Sequence, residues 1–328
     1  MPHILVAGKL HPSGVALLDA ATAQGFTFDY IEEVSEPSYA PLIHRADALV
    51  LRTQPLSAAT VALGERLRVV SRHGVGYDAV ELPALNARGI ALTIVGDVNS
   101  VSVAEHTLML LLAAAKRVLR GDAAVRDPGK WNWRNQLEAT ELAGKRLLII
   151  GYGRIGRHVA RLAAAFGMEI RALDPYLAMQ GWPEGPVRPV ADIAEGLIWA
   201  DAVSINVPGA DHPLIGAEEL EIIRPGAIII NTARGGIIDE AALAVALASG
   251  RVGAAGLDVF NAEPPLASNP LLGFDQVILS PHIAGLTSDC AERMAIASVQ
   301  NVIDFFNGSI DSSLIVNGFH PIPGKRAS

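Results

Sequence analysis

The run Arg146-Leu147-Leu148-Ile149-Ile150-Gly151-Tyr152-Gly153-Arg154-Ile155-Gly156 decides how this chain is read. An apolar strand leads directly into a Gly-x-Gly-x-x-Gly spacing, and residues 155–166 then carry helical periodicity. The glycine spacing means little alone, but strand, tight turn and helix in that order make it specific. The free backbone amides that open such a helix face an anion, here the pyrophosphate of a dinucleotide. The next apolar run, residues 169–173, stops at Asp174, within the roughly 20-residue spacing at which an acid meets the adenosine ribose. A carboxylate there accepts hydrogen bonds from a free 2′-hydroxyl and repels a 2′-phosphate, so NAD is expected in preference to NADP.

Working outward, apolar and β-branched runs at residues 146–150, 169–173, 202–206, 227–230, 253–258 and 277–279 alternate with helical stretches. They predict a doubly wound parallel sheet of six strands. An earlier series, with strands at residues 4–6, 48–51, 68–70 and 91–95, predicts a separate α/β unit. The two series part near Gly96-Asp97-Val98-Asn99-Ser100, where a long apolar helix begins, so a domain crossing is expected at about residue 100. A polar loop over residues 121–138 follows that helix, and residues 291–306 are helical again before an irregular tail.

The 328 residues, half of them apolar, suffice for two domains with cores of their own. A net charge of −8 without clustered Lys or Arg argues against a nucleic-acid partner. The single cysteine, Cys290, excludes an internal disulfide framework and a multi-cysteine metal site, and no other spacing predicts a metal ion. The most apolar stretch, residues 107–115, is too short for a bilayer, and no charged region precedes an apolar run at the start. Neither a membrane span nor a signal peptide is expected, nor an added regulatory domain after the last helix. The expectation is a cytoplasmic protein with a small-molecule substrate.

Arg234 in Asn231-Thr232-Ala233-Arg234-Gly235, Glu263 before Pro264-Pro265, and His282 in Ser280-Pro281-His282-Ile283-Ala284-Gly285 each follow a predicted strand end. Ligands of open parallel sheets bind beyond those ends, so the three side chains are expected to converge beside a nicotinamide. Hydride delivery to a 2-keto acid leaves negative charge growing on the carbonyl oxygen, and histidine is the natural proton donor near neutral pH. A carboxylate paired with the imidazole favours its charged form and fixes its tautomer, which gives Glu263 a role. Arg234, forked and permanently charged, suits a substrate carboxylate and the keto oxygen.

With these segments in view, the chain resembles the D-isomer-specific 2-hydroxyacid dehydrogenases over nearly its whole length. Its likeness is greatest to their 3-phosphoglycerate dehydrogenase and hydroxypyruvate/glyoxylate reductase branches. The resemblance also rests on Arg72-His73-Gly74-Val75-Gly76-Tyr77-Asp78, on Asn99-Ser100-Val101-Ser102-Val103-Ala104-Glu105-His106, and on Leu257-Asp258-Val259-Phe260. Also matching is Gly236-Ile237-Ile238-Asp239-Glu240 after the arginine segment. It implies an α/β fold of two doubly wound parallel-sheet domains. A Rossmann cofactor domain, residues 100–286, is inserted in a flavodoxin-like substrate domain, residues 1–99 and 287–328.

The resemblance further implies the catalytic set Arg234, Glu263 and His282, and a carboxylate cup made by the backbone of Gly74, Val75 and Gly76. NAD contacts are implied at Gly151, Gly153, Arg154, Ile155, Gly156, Asp174, Val207, Pro208, Thr232, Ala233, His282 and Gly285, with Asp258 meeting the nicotinamide carboxamide. A homodimer through the cofactor domain is implied, the Trp131–Trp133 loop reaching the partner and bringing Arg134 toward the neighbouring site.

Arg52 and Arg72, at strand ends of the first series, are candidates for a distal anionic group on the substrate. His73 adjoins the Gly74 loop and is a candidate lining residue, whereas His106, on an apolar helix face, reads as structural. The expected activity is NAD-dependent interconversion of a small D-2-hydroxy acid and its 2-keto acid, with His282 moving the proton. Formate enzymes resembling this family lack a glutamate at the position of Glu263, which disfavours that chemistry. The alternative is an NAD(H)-sensing, corepressor-like binding protein without turnover.

Overall fold

Leu147, Leu148, Ile149 and Ile150 are all buried, as a strand covered by helices on both faces must be. In the computed structural model, which describes residues 1–319, the chain forms two compact units, Met1–Asn99 with the chain from Leu286 onward, and Ser100–Gly285. The last residues expected in the substrate domain, 320–328, lie outside the described residues.

The first unit is a five-stranded parallel sheet of β1 (His3–Ala7), β2 (Thr27–Ile31), β3 (Ala48–Leu51), β4 (Val69–Arg72) and β5 (Ala91–Thr93), in the order β2-β1-β3-β4-β5. This is the flavodoxin-like order. The helix Ser288–Asn307 returns to cover one face of it: Val299 and Val302 are fully buried against Val50 and Val69, and Ser71 Oγ donates to the Ser298 carbonyl at 2.7 Å. Gly14, in the helix Pro12–Thr22, lets that helix approach Ala295 so closely that a Cβ would stand 2.8 Å from the alanine methyl.

The second unit is a seven-stranded parallel sheet of β6 (Arg146–Ile150), β7 (Glu169–Leu173), β8 (Arg188–Pro189), β9 (Ala202–Ile205), β10 (Ala227–Asn231), β11 (Val252–Leu257) and β12 (Val277–Leu279). Its order, β12-β11-β10-β9-β6-β7-β8, reverses direction between β6 and β9, which is where a doubly wound sheet opens its ligand crevice. The helices Ser100–Lys116 and Arg154–Ala165 cover one face, packing on Leu147, Ile149 and Ile230. Among the described residues no helix is long and apolar enough to cross a membrane.

Three expectations need correction. The second sheet has seven strands, because the two-residue β8 pairs with β7 at Arg171 and Ala172, too briefly to leave a periodic signal. The first sheet gains the edge strand β2, whose residues are all exposed or half-buried and so lack an apolar run. The segment expected as a polar loop is largely helical, with a helix Val118–Arg126 and a 3₁₀ segment Pro128–Gln136.

Leu110 of the Ser100–Lys116 helix is fully buried, and its Cβ sits 2.8 Å from where a Cβ on Gly256 of β11 would be. Leu110→Ala is expected to cost about 2–5 kcal/mol, since a helix held this close to the sheet cannot settle further into the cavity. Urea denaturation checks it, and a loss below about 1 kcal/mol would show that the contact relaxes.

Candidate active site

β10, β11 and β12 lie side by side, so the turns beyond their carboxyl ends are neighbours. Asn231 closes the first: its Nδ2 donates to the Arg234 carbonyl at 2.8 Å and its Oδ1 accepts from the Ala233 amide at 3.0 Å. Arg234 Nη1 donates to the Ala233 carbonyl at 2.7 Å. Gly235 meets the Phe260 carbonyl where no side chain fits, and the Gly236 amide donates to Asn261 Oδ1 at 2.7 Å. The arginine turn is thereby packed on the turn that carries Glu263.

In that second turn the Phe260 amide donates to Glu263 Oε1 at 3.1 Å, which leaves Oε2 for His282 Nδ1 at 2.7 Å. With Nδ1 committed to a carboxylate, Nε2 is the nitrogen left to exchange a proton. The imidazole is half exposed, which ligand access requires.

His282 has φ +53°, a left-handed conformation that few residues other than glycine adopt. Asp258, with no exposed surface, holds the turn there. Its Oδ1 accepts from Ser280 Oγ at 2.6 Å and from the Ile283 amide at 2.9 Å, its Oδ2 accepts from the Ala284 amide at 2.8 Å, and its carbonyl accepts from the His282 amide at 2.8 Å. Burial works to raise the carboxyl's pKa, but donors from His106, Ser280, Ile283 and Ala284 outweigh it and hold it below the ordinary value. Both carboxylate oxygens are thereby engaged within the protein.

Two residues enter this network that the sequence did not mark for it. His106 Nε2 lies 2.8 Å from Ser280 Oγ and 3.5 Å from Asp258 Oδ1. The only cue was their shared neighbourhood of motif segments, since the contact joins positions 174 apart.

The glycine turn after β6 has the shape a dinucleotide needs. Gly151 has φ +91°, and a Cβ there would lie 2.6 Å from the Asn206 carbonyl. Gly156 sits against the Gly151 carbonyl, whereas a Cβ on Gly153 would meet nothing within 4 Å. Gly153 is also the N-cap of the Arg154–Ala165 helix and contributes no capping side chain, so the first-turn amides are left for an anion. Arg154 is exposed and Ile155 half-buried in that turn.

Asp174 accepts from the Tyr152 amide of the glycine turn at 2.9 Å, and from the Leu177 amide at 3.1 Å as N-cap of the helix Pro175–Gln180. Val207 and Pro208 follow β9 across the switch point, half-buried and exposed. Ala233 is buried and Gly285 half-buried. Thr107 Oγ1 gives its proton to the Val103 carbonyl, so the 2.7 Å bond to Thr232 Oγ1 is donated by Thr232. A surface cavity of about 620 Å³ beside β7 and β8, lined by Tyr152, Arg157 and Arg161, contains none of the catalytic candidates. Arg134 lies over the Trp131 ring at 5.6 Å, in the 3₁₀ segment.

The first unit carries the other candidates. Arg52 Nη1 donates to the Lys9 carbonyl at 3.1 Å, and Arg72 Nη1 reaches the Leu51 and His73 carbonyls at 3.3 and 3.2 Å. A Cβ on Gly74 would stand 3.6 Å from Arg72 Nη1, and Val75 and Gly76 continue that loop half-buried. His73 is 6% exposed and its Nε2 has no hydrogen-bond partner. Burial first, then the charge of Arg52, pushes its pKa down to about 4.

Comparison with known proteins finds similar sequences and structures. The model for the NAD binding domain of D-isomer specific 2-hydroxyacid dehydrogenases matches residues 108–284. A D-3-phosphoglycerate dehydrogenase of Methanocaldococcus jannaschii is 36% identical over 322 residues, covering 96% of this chain; the chain spans 59% of that relative's length. A glyoxylate reductase of Korarchaeum cryptofilum is 34% identical over 323 residues, with 96% of each chain covered. Among solved structures, the TT0316 protein of Thermus thermophilus superposes with a TM-score of 0.85 at 31% identity, covering 96% of this chain and 99% of its own.

The depressed pKa of His73 has a thermodynamic consequence. Between its unfolded value of 6.5 and about 4 the unfolded chain binds a proton that the folded chain does not, so stability falls as pH falls through that window. Acidification from about pH 7 to about pH 4.5 is expected to cost about 2–3 kcal/mol through this residue. His73→Gln should flatten the loss by that amount in urea denaturation, and equal losses in both proteins would show that His73 is protonated when folded.

Proposed function

This chain belongs to the D-isomer-specific 2-hydroxyacid dehydrogenase family, and from that premise we propose that it interconverts a small D-2-hydroxy acid and its 2-keto acid. The observation that carries the reading is the 2.7 Å bond between Glu263 Oε2 and His282 Nδ1, on a turn beside the one that bears Arg234. When bound, the nicotinamide cofactor supplies or accepts the hydride at the 2-carbon.

In the reducing direction His282 Nε2 gives its proton to the keto oxygen as charge grows there, and Glu263 stabilises the imidazolium present beforehand. Arg234 polarises the same oxygen and holds the substrate carboxylate. Asp174 selects NAD by accepting from the free ribose hydroxyl, and its bond to the Tyr152 amide supports that role by aiming the carboxylate at the glycine turn. Arg52 and Arg72 recognise a distal anionic group, which favours substrates such as phosphohydroxypyruvate over glyoxylate. The assembly is a homodimer through the second unit, a reading supported by Trp131, which is half exposed in the 3₁₀ segment.

The deciding experiment follows the loss of NADH absorbance with hydroxypyruvate, glyoxylate, phosphohydroxypyruvate, sulfopyruvate and pyruvate, with NADPH in parallel. Turnover of at least one keto acid is expected, with NADH preferred; turnover of none would overturn the dehydrogenase reading. His282→Ala should lower kcat by about 10²–10⁴ while NADH still binds. Arg52→Ala should raise KM for the phosphorylated substrate and leave that for glyoxylate unchanged, and equal effects on both would remove the distal-anion role.

A further inference from the structure

One titratable side chain in contact with the His282 turn has no part in the reaction as described: His106, on the Ser100–Lys116 helix. It is 14% exposed at the side chain, and Nε2 is 2.8 Å from Ser280 Oγ. A serine hydroxyl has one proton, and at 2.6 Å that proton is committed to Asp258 Oδ1. The bond between His106 and Ser280 is therefore donated by Nε2–H, which fixes the state of that nitrogen. The same N–H lies 3.5 Å from Asp258 Oδ1.

The chain of donors runs one way, from His106 to Ser280 to Asp258. Asp258 in turn holds the amides of His282, Ile283 and Ala284, and with them the left-handed conformation of His282. The next residue on the helix makes the matching connection on the other side, since Thr107 accepts from Thr232 in the turn that leads to Arg234. Consecutive residues of one helix thus touch both turns that bear catalytic candidates.

We propose that His106 is a positioning residue for His282, acting through Ser280 and Asp258 to hold the imidazole where it can exchange a proton with substrate. The inference rests on the reading of His282 as the acid/base group. Losing the His106 donor leaves an oxygen of Ser280 without its partner inside the protein and loosens Asp258's grip on a turn that needs restraint to keep φ +53°. A displacement of the reacting group by about 1 Å can cost as much as 10²-fold in rate.

The test uses the full-length protein and the best keto acid from the panel. His106→Ala is expected to lower kcat about tenfold, with KM and NADH affinity within about twofold of the parent, because the binding groups stay in place while the proton donor is misplaced. Gln places its amide nitrogen near where imidazole Nε2 lies, whereas Asn places it near Nδ1, so His106→Gln should recover most of the rate and His106→Asn should not. Ser280→Ala should show the same loss, and His106→Ala combined with it should be no worse, since both sit on one path. Equal activity of the Gln and Asn variants overturns the proposal, as does an unchanged kcat in His106→Ala alongside the loss expected of His282→Ala. If His282→Ala itself keeps full activity, the reading of His282 as the acid/base group falls instead, so the two failures are told apart.

Discussion

A carboxylate with no exposed surface is tolerable only if donors inside the protein replace the water it has lost, and Asp258 is that carboxylate here. Every donor it accepts comes from the turn after β12 or from the helix that packs on it. The charge cannot be satisfied unless that turn adopts one conformation, so the cost of burying it enforces the geometry. The His282 backbone, placed where a side chain is seldom found, is a product of this constraint. Glu263 then needs only to meet an imidazole whose position is already set.

The sheet supplies the rest. Parallel strands send all their carboxyl ends to one edge, and the register of β9 through β12 brings the turns after Asn231, Leu257 and Leu279 abreast of each other. Reversal of strand order between β6 and β9 separates the helices there, and the glycine turn and the Asn206–Pro208 segment border that opening. Glycine is required at Gly151 and Gly156 by backbone approach, and at Gly153 the absence of a side chain keeps the front of the helix clear. Steric necessity and cofactor recognition therefore fall on the same short segment.

Much of this was legible in the chain because it is written in local order. Strand, glycines, helix and a following acid occupy consecutive positions, and Arg234, Glu263 and His282 each follow a strong apolar run. The weaker elements lacked such marks. β2 is half solvated and includes Asp29 and Thr27, β8 consists of Arg188 and Pro189, and the helix Val118–Arg126 buries only Ala124, so no apolar stripe announces it. The contact between His106 and Ser280 depends on how a helix docks on a sheet, a property that no window of sequence contains. For the same reason the partners of Asp258 emerged only in three dimensions, although its position in the motif was clear.

Asp174 shows how tightly recognition and folding can be joined. Its two oxygens are divided between the Leu177 amide, where it caps a helix, and the Tyr152 amide of the glycine turn. A lineage drifting from one dinucleotide to its phosphorylated form would be expected to discard this acid, yet discarding it also removes a cap worth about 1 kcal/mol and frees the phosphate-binding turn. If Asp174 sets cofactor preference as proposed, that preference is hard to change by one mutational step. On the proposal that Asp174 selects NAD, any path to the other cofactor must first find another way to tether Tyr152.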